Sequence, residues 1–345
     1  MQKRDIIVIG ASAGGFEAIK TLVKGLSAQL EAAILIVWHM SPDVKGILPY
    51  VINKLHGIPA ANAYDRELIT PGRIYVAPPD RHMLIVDDYL RVTKGPKENR
   101  FRPAIDPLFR SAAYRYGNRV IGIILSGALD DGTAGLWTVK KHGGVAIVQD
   151  PANAEVASMP ESAIRGVNVD YTLSVEEMPH LVSKLCSETI AFRNHYNVEK
   201  NRRTEEEIRI ALQDELYTAG VQLGKLTPFT CPECHGVLSM IKEDEMIRYR
   251  CHTGHAYSAA SLLQSISHNI EDSLWNAIRG IEESIALLNH LGDHFAELNQ
   301  THLAALYFKK AQETFVRSGL ARKALLDEEA LIVQQSTSGN GKDAE

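Results

Sequence analysis

Ile6-Ile7-Val8-Ile9-Gly10-Ala11-Ser12-Ala13-Gly14-Gly15 decides how this chain begins to fold. A short β-branched apolar run reads as a buried strand, and the stretch 16–26 behind it has helical amphipathic spacing. Between them, Gly10-Ala11-Ser12-Ala13-Gly14 fits G-x-S-x-G, a strand-to-helix turn too sharp for large side chains. Such an elbow leaves one hydroxyl, that of Ser12, at a helix N-terminus, where free N–H groups favour an oxyanion or a phosphate. The dinucleotide pattern fails because Ser12 stands where the middle glycine belongs, and the phosphate-loop pattern fails because Phe16-Glu17 follow Gly15 instead of Lys-Ser/Thr. On the turn alone, a nucleophile, a nucleotide site and a purely structural bend all stay open.

Working outward, apolar runs alternate with amphipathic stretches: 6–9 then 16–26, 34–37 then 44–55, 120–125 then 134–141, and 145–148 then 160–165. This alternation predicts a doubly wound α/β fold, a mostly parallel sheet with helices on both faces in a Rossmann-like three-layer arrangement. Segments 73–77, 83–86 and 90–92 read as a hairpin inserted into that pattern.

The bulk properties bound the rest. With 345 residues there is room for two or three domains, and a net charge of -5 gives no pull towards nucleic acid or an anionic membrane. The longest apolar runs, 32–38 and 120–125, are strand-length, and the N-terminal apolar stretch behind Lys3 and Arg4 is interrupted at Gly10, too early for a signal-peptide core, so a soluble cytoplasmic protein without membrane insertion is expected.

A catalytic Ser12 needs a base in hydrogen-bond reach and an acid to orient that base. His39 follows the run 34–38, and Asp130 and Asp131 follow the run 120–125. In an open parallel sheet the residues beyond the carboxyl ends of neighbouring strands meet in one crevice, so three strand ends supply Ser, His and Asp. The order differs from that of α/β hydrolases, where the acid precedes the histidine. Spacing does not separate Asp130 from Asp131.

Downstream, 191–228 reads as a charged helical linker of mixed sign, solvated rather than a binding patch. Cys231-Pro232-Glu233-Cys234 and Cys251-His252-Thr253-Gly254-His255 pair a CxxC with a CxxxH in a segment, 229–257, too short to form its own core. In a reducing compartment that spacing indicates a closed structural zinc site with Cys231, Cys234, Cys251 and His255 as ligands, and His235 and His252 as substitutes. Beyond it, 258–333 carries helical periodicity: Leu262, Ile266, Ile270, Leu274, Ile278, Ile281, Ile285 and Leu288 share one face, a break is expected at Gly292-Asp293, and Leu298, Leu306 and Phe315 mark the facing helix of a hairpin. The tail 334–345 reads as disordered.

Several blocks in register carry a family resemblance. Gly10-Ala11-Ser12-Ala13-Gly14-Gly15, Trp38-His39-Met40-Ser41-Pro42, Tyr75-Val76-Ala77-Pro78-Pro79-Asp80-Arg81-His82, Arg102-Pro103-Ala104-Ile105-Asp106 and Leu125-Ser126-Gly127-Ala128-Leu129-Asp130-Asp131-Gly132 resemble, over about 4–186 within a domain 1–190, the catalytic domain of CheB-type chemotaxis protein-glutamate methylesterases. The resemblance implies a Ser-His-Asp esterase with Ser12 as nucleophile, His39 as base, Asp131 as orienter and the Ala128 N–H as oxyanion donor, without a cofactor for catalysis. Its substrates would be glutamate methyl esters, and glutamines to deamidate, on methyl-accepting chemotaxis receptors. Two departures stand out: Gly127-Ala128-Leu129 replaces a usual Gly-Met-Gly, and Ala13 a frequent threonine. Family members commonly carry a receiver domain ahead of the esterase, and a first strand at residue 5 leads to the expectation of a stand-alone enzyme controlled from elsewhere. The zinc ribbon and helical pair resemble an extension behind some stand-alone members and would dock a receptor, kinase or regulator. The alternative is a non-catalytic signalling adaptor that keeps the esterase fold as a platform.

Overall fold

The computed structural model describes residues 2–40, 46–55, 57–191, 202–212, 224–243 and 246–337. In chain order the first part comprises β1 (Gln2–Lys3), β2 (Ile6–Ala11), α1 (Gly15–Gly25), β3 (Ala33–Trp38), α2 (Leu48–Leu55), β4 (Ala60–Asn62), β5 (Arg73–Val76), β6 (His82–Val86) and β7 (Tyr89–Thr93). There follow α3 (Ile105–Tyr116), β8 (Val120–Ile124), α4 (Thr133–Lys141), β9 (Val145–Gln149), α5 (Ser158–Gly166), β10 (Tyr171–Leu173), α6 (Met178–Ser187) and β11 (Thr189–Ile190).

Seven of these strands form one sheet in the order β10-β9-β8-β2-β3-β5-β4, and every neighbouring pair is parallel. All six residues of β2 are buried, as a strand covered on both faces requires. Alternate side chains take opposite sides: Ile7 and Ile9 pack with Ile19 and Leu22 of α1 and Val182 of α6, while Ile6 and Val8 pack with Phe109 of α3, Leu136 of α4 and Ala163 of α5. The result is the three-layer α/β sandwich that the alternating pattern announces.

The chain winds from β2 to β3 on one side and resumes on the other with β8, so β2 lies at the switch point where ligand crevices open beyond the carboxyl ends. Register makes this specific. Ala11 pairs with Trp38 and Gly10 with Ile124, so the residues that leave those strands, Ser12, His39 and Ser126, emerge side by side. Ile105 at the start of α3 is wedged beneath this edge: a Cβ on Gly10 would lie 2.4 Å from it and one on Gly132 2.8 Å.

Segment 73–77 departs from expectation. Arg73–Val76 is β5, a full member of the main sheet between β3 and β4, and only β6 and β7 form the inserted hairpin. A four-residue run flanked by turns has the same pattern in either setting; burial of Ile74, Tyr75 and Val76 on both faces is what distinguishes them.

Compactness divides the chain into residues 1–262 and 263–345. The first unit also holds α7 (Arg202–Leu212) and a four-stranded antiparallel sheet, β12 (Lys225–Thr230), β13 (Val237–Glu243), β14 (Met246–Cys251) and β15 (Ala256–Ser258). The charged stretch read as solvated is partly sequestered: Glu207 of α7 is 1% exposed. It meets Arg248 at 2.7 Å, Arg250 at 3.3 Å and Arg110 of α3 at 3.4 Å, and Glu98 closes the cluster with Arg110 at 2.5 Å and Arg250 at 3.0 Å. Mixed charge along one helix is satisfied as well by buried partners from distant segments as by water, and only the three-dimensional fold tells which.

The first turn of α8 (Ala259–Glu297) still belongs to the first unit; the second unit, described by itself, holds the rest of α8 and α9 (Thr301–Thr337). The break expected at Gly292-Asp293 is not there. Gly292 is buried with the Phe308 ring against it, 2.5 Å from where a Cβ would stand, so the glycine serves close packing and leaves α8 intact. On α9, Leu298, Leu306 and Phe315 do not form the inner face; Leu306 and Phe315 are 40% and 65% exposed and Leu298 lies before the helix. The inner positions are Ala304, Ala311 and Ser318, spaced by seven, because small side chains let two helix backbones approach closely.

Burial opposes ionisation of Glu207, and the charges of Arg110, Arg248 and Arg250 more than reverse this, holding its carboxyl well below the usual range. A depressed folded value means stability present above the unfolded pKa and lost as pH falls through the folded one. Glu207→Gln should therefore cost about 3–5 kcal/mol at neutral pH by leaving buried guanidiniums under-paired. Urea titrations of the variant should also show a shallower loss of stability towards acid; equal stability at pH 7 would contradict this role.

Candidate active site

Ser12 follows β2 at the elbow, with α1 beginning three residues later. Gly14 adopts φ 70°, and a Cβ there would meet Ser126 Oγ at 2.6 Å, so this position requires glycine both for its backbone conformation and for space. The loop after β8 braces the elbow: Ser12 N–H donates to Ser126 O at 3.0 Å, and Ser126 Oγ donates to Ala13 O at 2.8 Å. From the β3 side, Trp38 Nε1 donates to Ser12 O at 3.0 Å and His39 N–H to Ala11 O at 3.0 Å.

The three strand ends converge. His39 Nδ1 lies 3.2 Å from Ser12 Oγ, and His39 Nε2 lies 2.8 Å from Asp131 Oδ2. Because the carboxylate only accepts, Nε2 carries the proton and Nδ1 is left as the acceptor facing the hydroxyl. The Phe101 ring stacks on the imidazole at 3.8 Å between centroids, fixing its plane. Asp130 is turned elsewhere, accepting from Ser258 Oγ at 2.7 Å, so geometry separates the two aspartates where spacing did not.

Asp131 is 1% exposed and surrounded by donors. Oδ2 also accepts from Ile105 N at 2.7 Å, while Oδ1 accepts from Asn99 Nδ2 at 2.8 Å and Gly132 N at 3.0 Å. Burial pushes its pKa up, and the His39 hydrogen bond and charge, with the Ile105 and Asn99 donors, bring it below the ordinary carboxylate value. Behind it Asp106 is driven the other way, to about 7, by burial and then by the Asp131 charge. One of the two neighbours stays ionised, and it is the one that touches histidine.

Ala128 is exposed on the loop between Gly127, whose N–H donates to Val156 O, and Leu129, whose N–H donates to Ser158 Oγ. Leu129 sits at φ 66°, in the left-handed region that favours glycine. Ala13, which the sequence singled out only as standing in place of a threonine, has an N–H without an acceptor among the described residues and sits directly after the serine of the elbow. Asn99 and Phe101 gave no motif signal. A cleft of about 550 Å3 holds Ser12, Ala13, Phe16, Trp38, His39 and Phe101 among its lining. A larger cavity of about 910 Å3 touches Asn99, Asp106 and Asp130 but neither Ser12 nor His39. Hydroxyl, imidazole and buried carboxylate in series beside an open cleft can perform nucleophilic acyl transfer.

At a separate place, the ligand atoms of Cys231, Cys234, Cys251 and His255 all lie within 4.8 Å of one another. Cys234 Sγ is 3.6 Å from Cys251 Sγ, and His255 Nδ1 is 3.5 Å from Cys251 Sγ and 3.7 Å from Cys231 Sγ. Metal–sulfur bonds of about 2.3 Å put tetrahedral sulfurs roughly 3.8 Å apart, so the set has the dimensions of a four-coordinate metal site. His235 and His252 are exposed and outside it.

Residues 7–182 match the family model described as CheB methylesterase. A Leptospira interrogans protein named putative protein-glutamate methylesterase/protein-glutamine glutaminase is 43% identical over 182 residues, 52% of this chain and 94% of that protein. A Photorhabdus laumondii protein-glutamate methylesterase/protein-glutamine glutaminase is 37% identical over 192 residues, and there the match spans 54% of this chain and 55% of the relative, about half its length. Among solved structures, the CheB methylesterase catalytic domain of Thermotoga maritima superposes with a TM-score of 0.52 and 31% identity, covering 54% of this chain and all of that one.

If Ser12 is activated as this geometry implies, a fluorophosphonate should label Ser12 selectively. Asp131→Asn, which keeps the side chain's shape but replaces one of its two accepting oxygens by an NH2 and so unsettles the imidazole tautomer, should slow labelling by about 10⁴-fold. Mass spectrometry of the labelled peptide checks the first outcome, and a variant labelled at the parent rate would remove Asp131 from the chain of contacts.

Proposed function

This chain belongs to the CheB methylesterase family, and from that premise we propose that it is a protein-glutamate methylesterase acting through Ser12, His39 and Asp131. The observation that carries this reading is the unbroken series Ser12 Oγ, His39 Nδ1, His39 Nε2, Asp131 Oδ2, with contacts of 3.2 and 2.8 Å. Ser12 Oγ attacks the ester carbonyl of a methylated glutamate side chain while His39 Nδ1 takes its proton. The oxyanion is met by the Ala13 N–H at the elbow and by the Ala128 N–H of the facing loop. Collapse of the intermediate breaks the C–O bond to the methoxy group, which leaves as methanol with the proton from His39. Water then attacks the glutamyl-serine ester, His39 takes a proton from that water and returns it to Ser12, and free glutamate remains. Asp131 stabilises the imidazolium throughout without itself being protonated. The same sequence on glutamine releases ammonia.

The substrates in this reading are methyl-accepting chemotaxis receptors, reached from the cytoplasm. No helix among the described residues is long and apolar enough to cross a membrane. The Cys231, Cys234, Cys251 and His255 cluster would hold a structural Zn²⁺: four protein ligands close the coordination sphere, so the ion would supply folding energy to β12–β15 and no catalysis. The helical pair α8 and α9 would offer a docking surface to a receptor, kinase or regulator.

Methanol release from methylated receptor membranes tests the chemistry and the substrate together. The parent protein should release it, and Ser12→Ala should be at least about a thousandfold slower; equal release would return the fold to the adaptor reading. Elemental analysis should find one zinc per chain, lost together with thermal stability in Cys251→Ala, and a protein as stable and zinc-free after exhaustive chelation would reject the structural metal.

A further inference from the structure

Loop 97–101 carries two groups that touch the triad, Asn99 on Asp131 and Phe101 on His39, and the segment that holds this loop lies outside the part of the chain that matches the family. Ala256 of β15 takes the loop as a neighbouring strand: Asn99 N–H donates to Ala256 O at 2.8 Å and Ala256 N–H to Lys97 O at 3.2 Å. The Asn99 side chain is used in full. Its Nδ2 donates to Asp131 Oδ1 at 2.8 Å and to Asp106 Oδ2 at 3.0 Å, and its Oδ1 accepts from Ser258 N at 2.9 Å and Ser261 Oγ at 3.2 Å. The amide orientation follows from its partners, because a backbone N–H only donates and the ionised Asp131 only accepts. Asn99 and Arg100 both have positive φ, 50° and 76°, a conformation that persists only where surrounding contacts over-determine it.

We propose that Asn99 is a positioning residue through which β15 and the first turn of α8 set the orientation of Asp131, so that the C-terminal Cys/His segment is a working part of the esterase site. Ser258 and Ser261 hold the Asn99 carbonyl, which leaves its amide protons aimed at Asp131. The loop so fixed also brings Phe101 flat against His39. Without the 256–261 contacts, two successive left-handed residues relax, the Asp131 carboxylate loses a donor, and the imidazole loses the plane that directs Nδ1 at Ser12. The Ser258 N–H faces the loop and not the β14 ladder, so proline removes it without breaking that ladder. The same change takes away Ser258 Oγ, which donates to Asp130 and accepts from Ser261 N, and Ser258→Ala, which loses only the hydroxyl, separates the two effects.

The test uses the full-length protein and fluorophosphonate labelling of Ser12, which needs the triad but no receptor. Asn99→Ala and Ser258→Pro should each lower the maximal labelling rate about tenfold or more, with the half-saturating reagent concentration unchanged. The double variant should be no slower than the slower single, since both cut the same line of contacts. Ser261→Ala, the mildest change, should displace the low-field proton resonance of the His39–Asp131 hydrogen bond without altering the melting temperature. Labelling at the parent rate in folded Ser258→Pro, or losses that multiply in the double variant, would overturn the proposal; should Asn99→Ala not fold, Ser258→Pro and the Ser261→Ala resonance decide it. The inference rests on the esterase reading for its triad. Labelling without methanol release from receptors would reject the substrate and keep the positioning role, whereas a parent protein not labelled at Ser12 would reject both.

Discussion

A carboxylate kept ionised out of water is the constraint around which this fold is arranged. Asp131 is buried among apolar strand ends, and an isolated charge there would be neutralised by taking up a proton. Its oxygens instead accept from the imidazole of one strand end, the first amide of α3, the amide of the next residue and the side chain of a distant loop. Each donor belongs to a different part of the chain, so satisfying one anion fixes the relative positions of β3, β8, α3 and loop 97–101. The histidine inherits its tautomer from this arrangement, and the serine its acceptor.

Much of this was legible in the amino-acid order. The elbow is dictated by glycines that alone tolerate a left-handed turn pressed against a neighbour, and the parallel sheet by runs apolar on both faces. The switch-point rule then places Ser12, His39 and one of two aspartates at a common edge. Choosing between Asp130 and Asp131 lay beyond spacing, because adjacent residues differ only in the direction in which the turn points them. Leu129 shows a second kind of limit, a non-glycine residue held at positive φ by loop contacts that no local propensity reveals.

Long-range partnerships left the least trace. Glu207, inside a run of glutamates, resembles any solvated helix position, yet it sits among three guanidiniums from α3 and β14. Asn99 looks like an ordinary turn residue and is a junction between two carboxylates and two serines. On α9 the large apolar residues drew attention, whereas the packed line is made of alanine and serine, chosen for what they lack. In each case identity depends on partners tens of residues or more away along the chain, or on a shape that hydrophobicity does not encode.

Ile105 gives the arrangement a further property. Its side chain fills the space that β-carbons would need at Gly10 and Gly132, while its amide holds Asp131. It acts as a spacer gauge between the turn bearing the alcohol and the turn bearing the acid. Any added bulk at either glycine would be transmitted through this one residue to the opposite turn, so sequence drift at these three positions has to be concerted, and their co-variation is the trace it would leave in descendants of this chain.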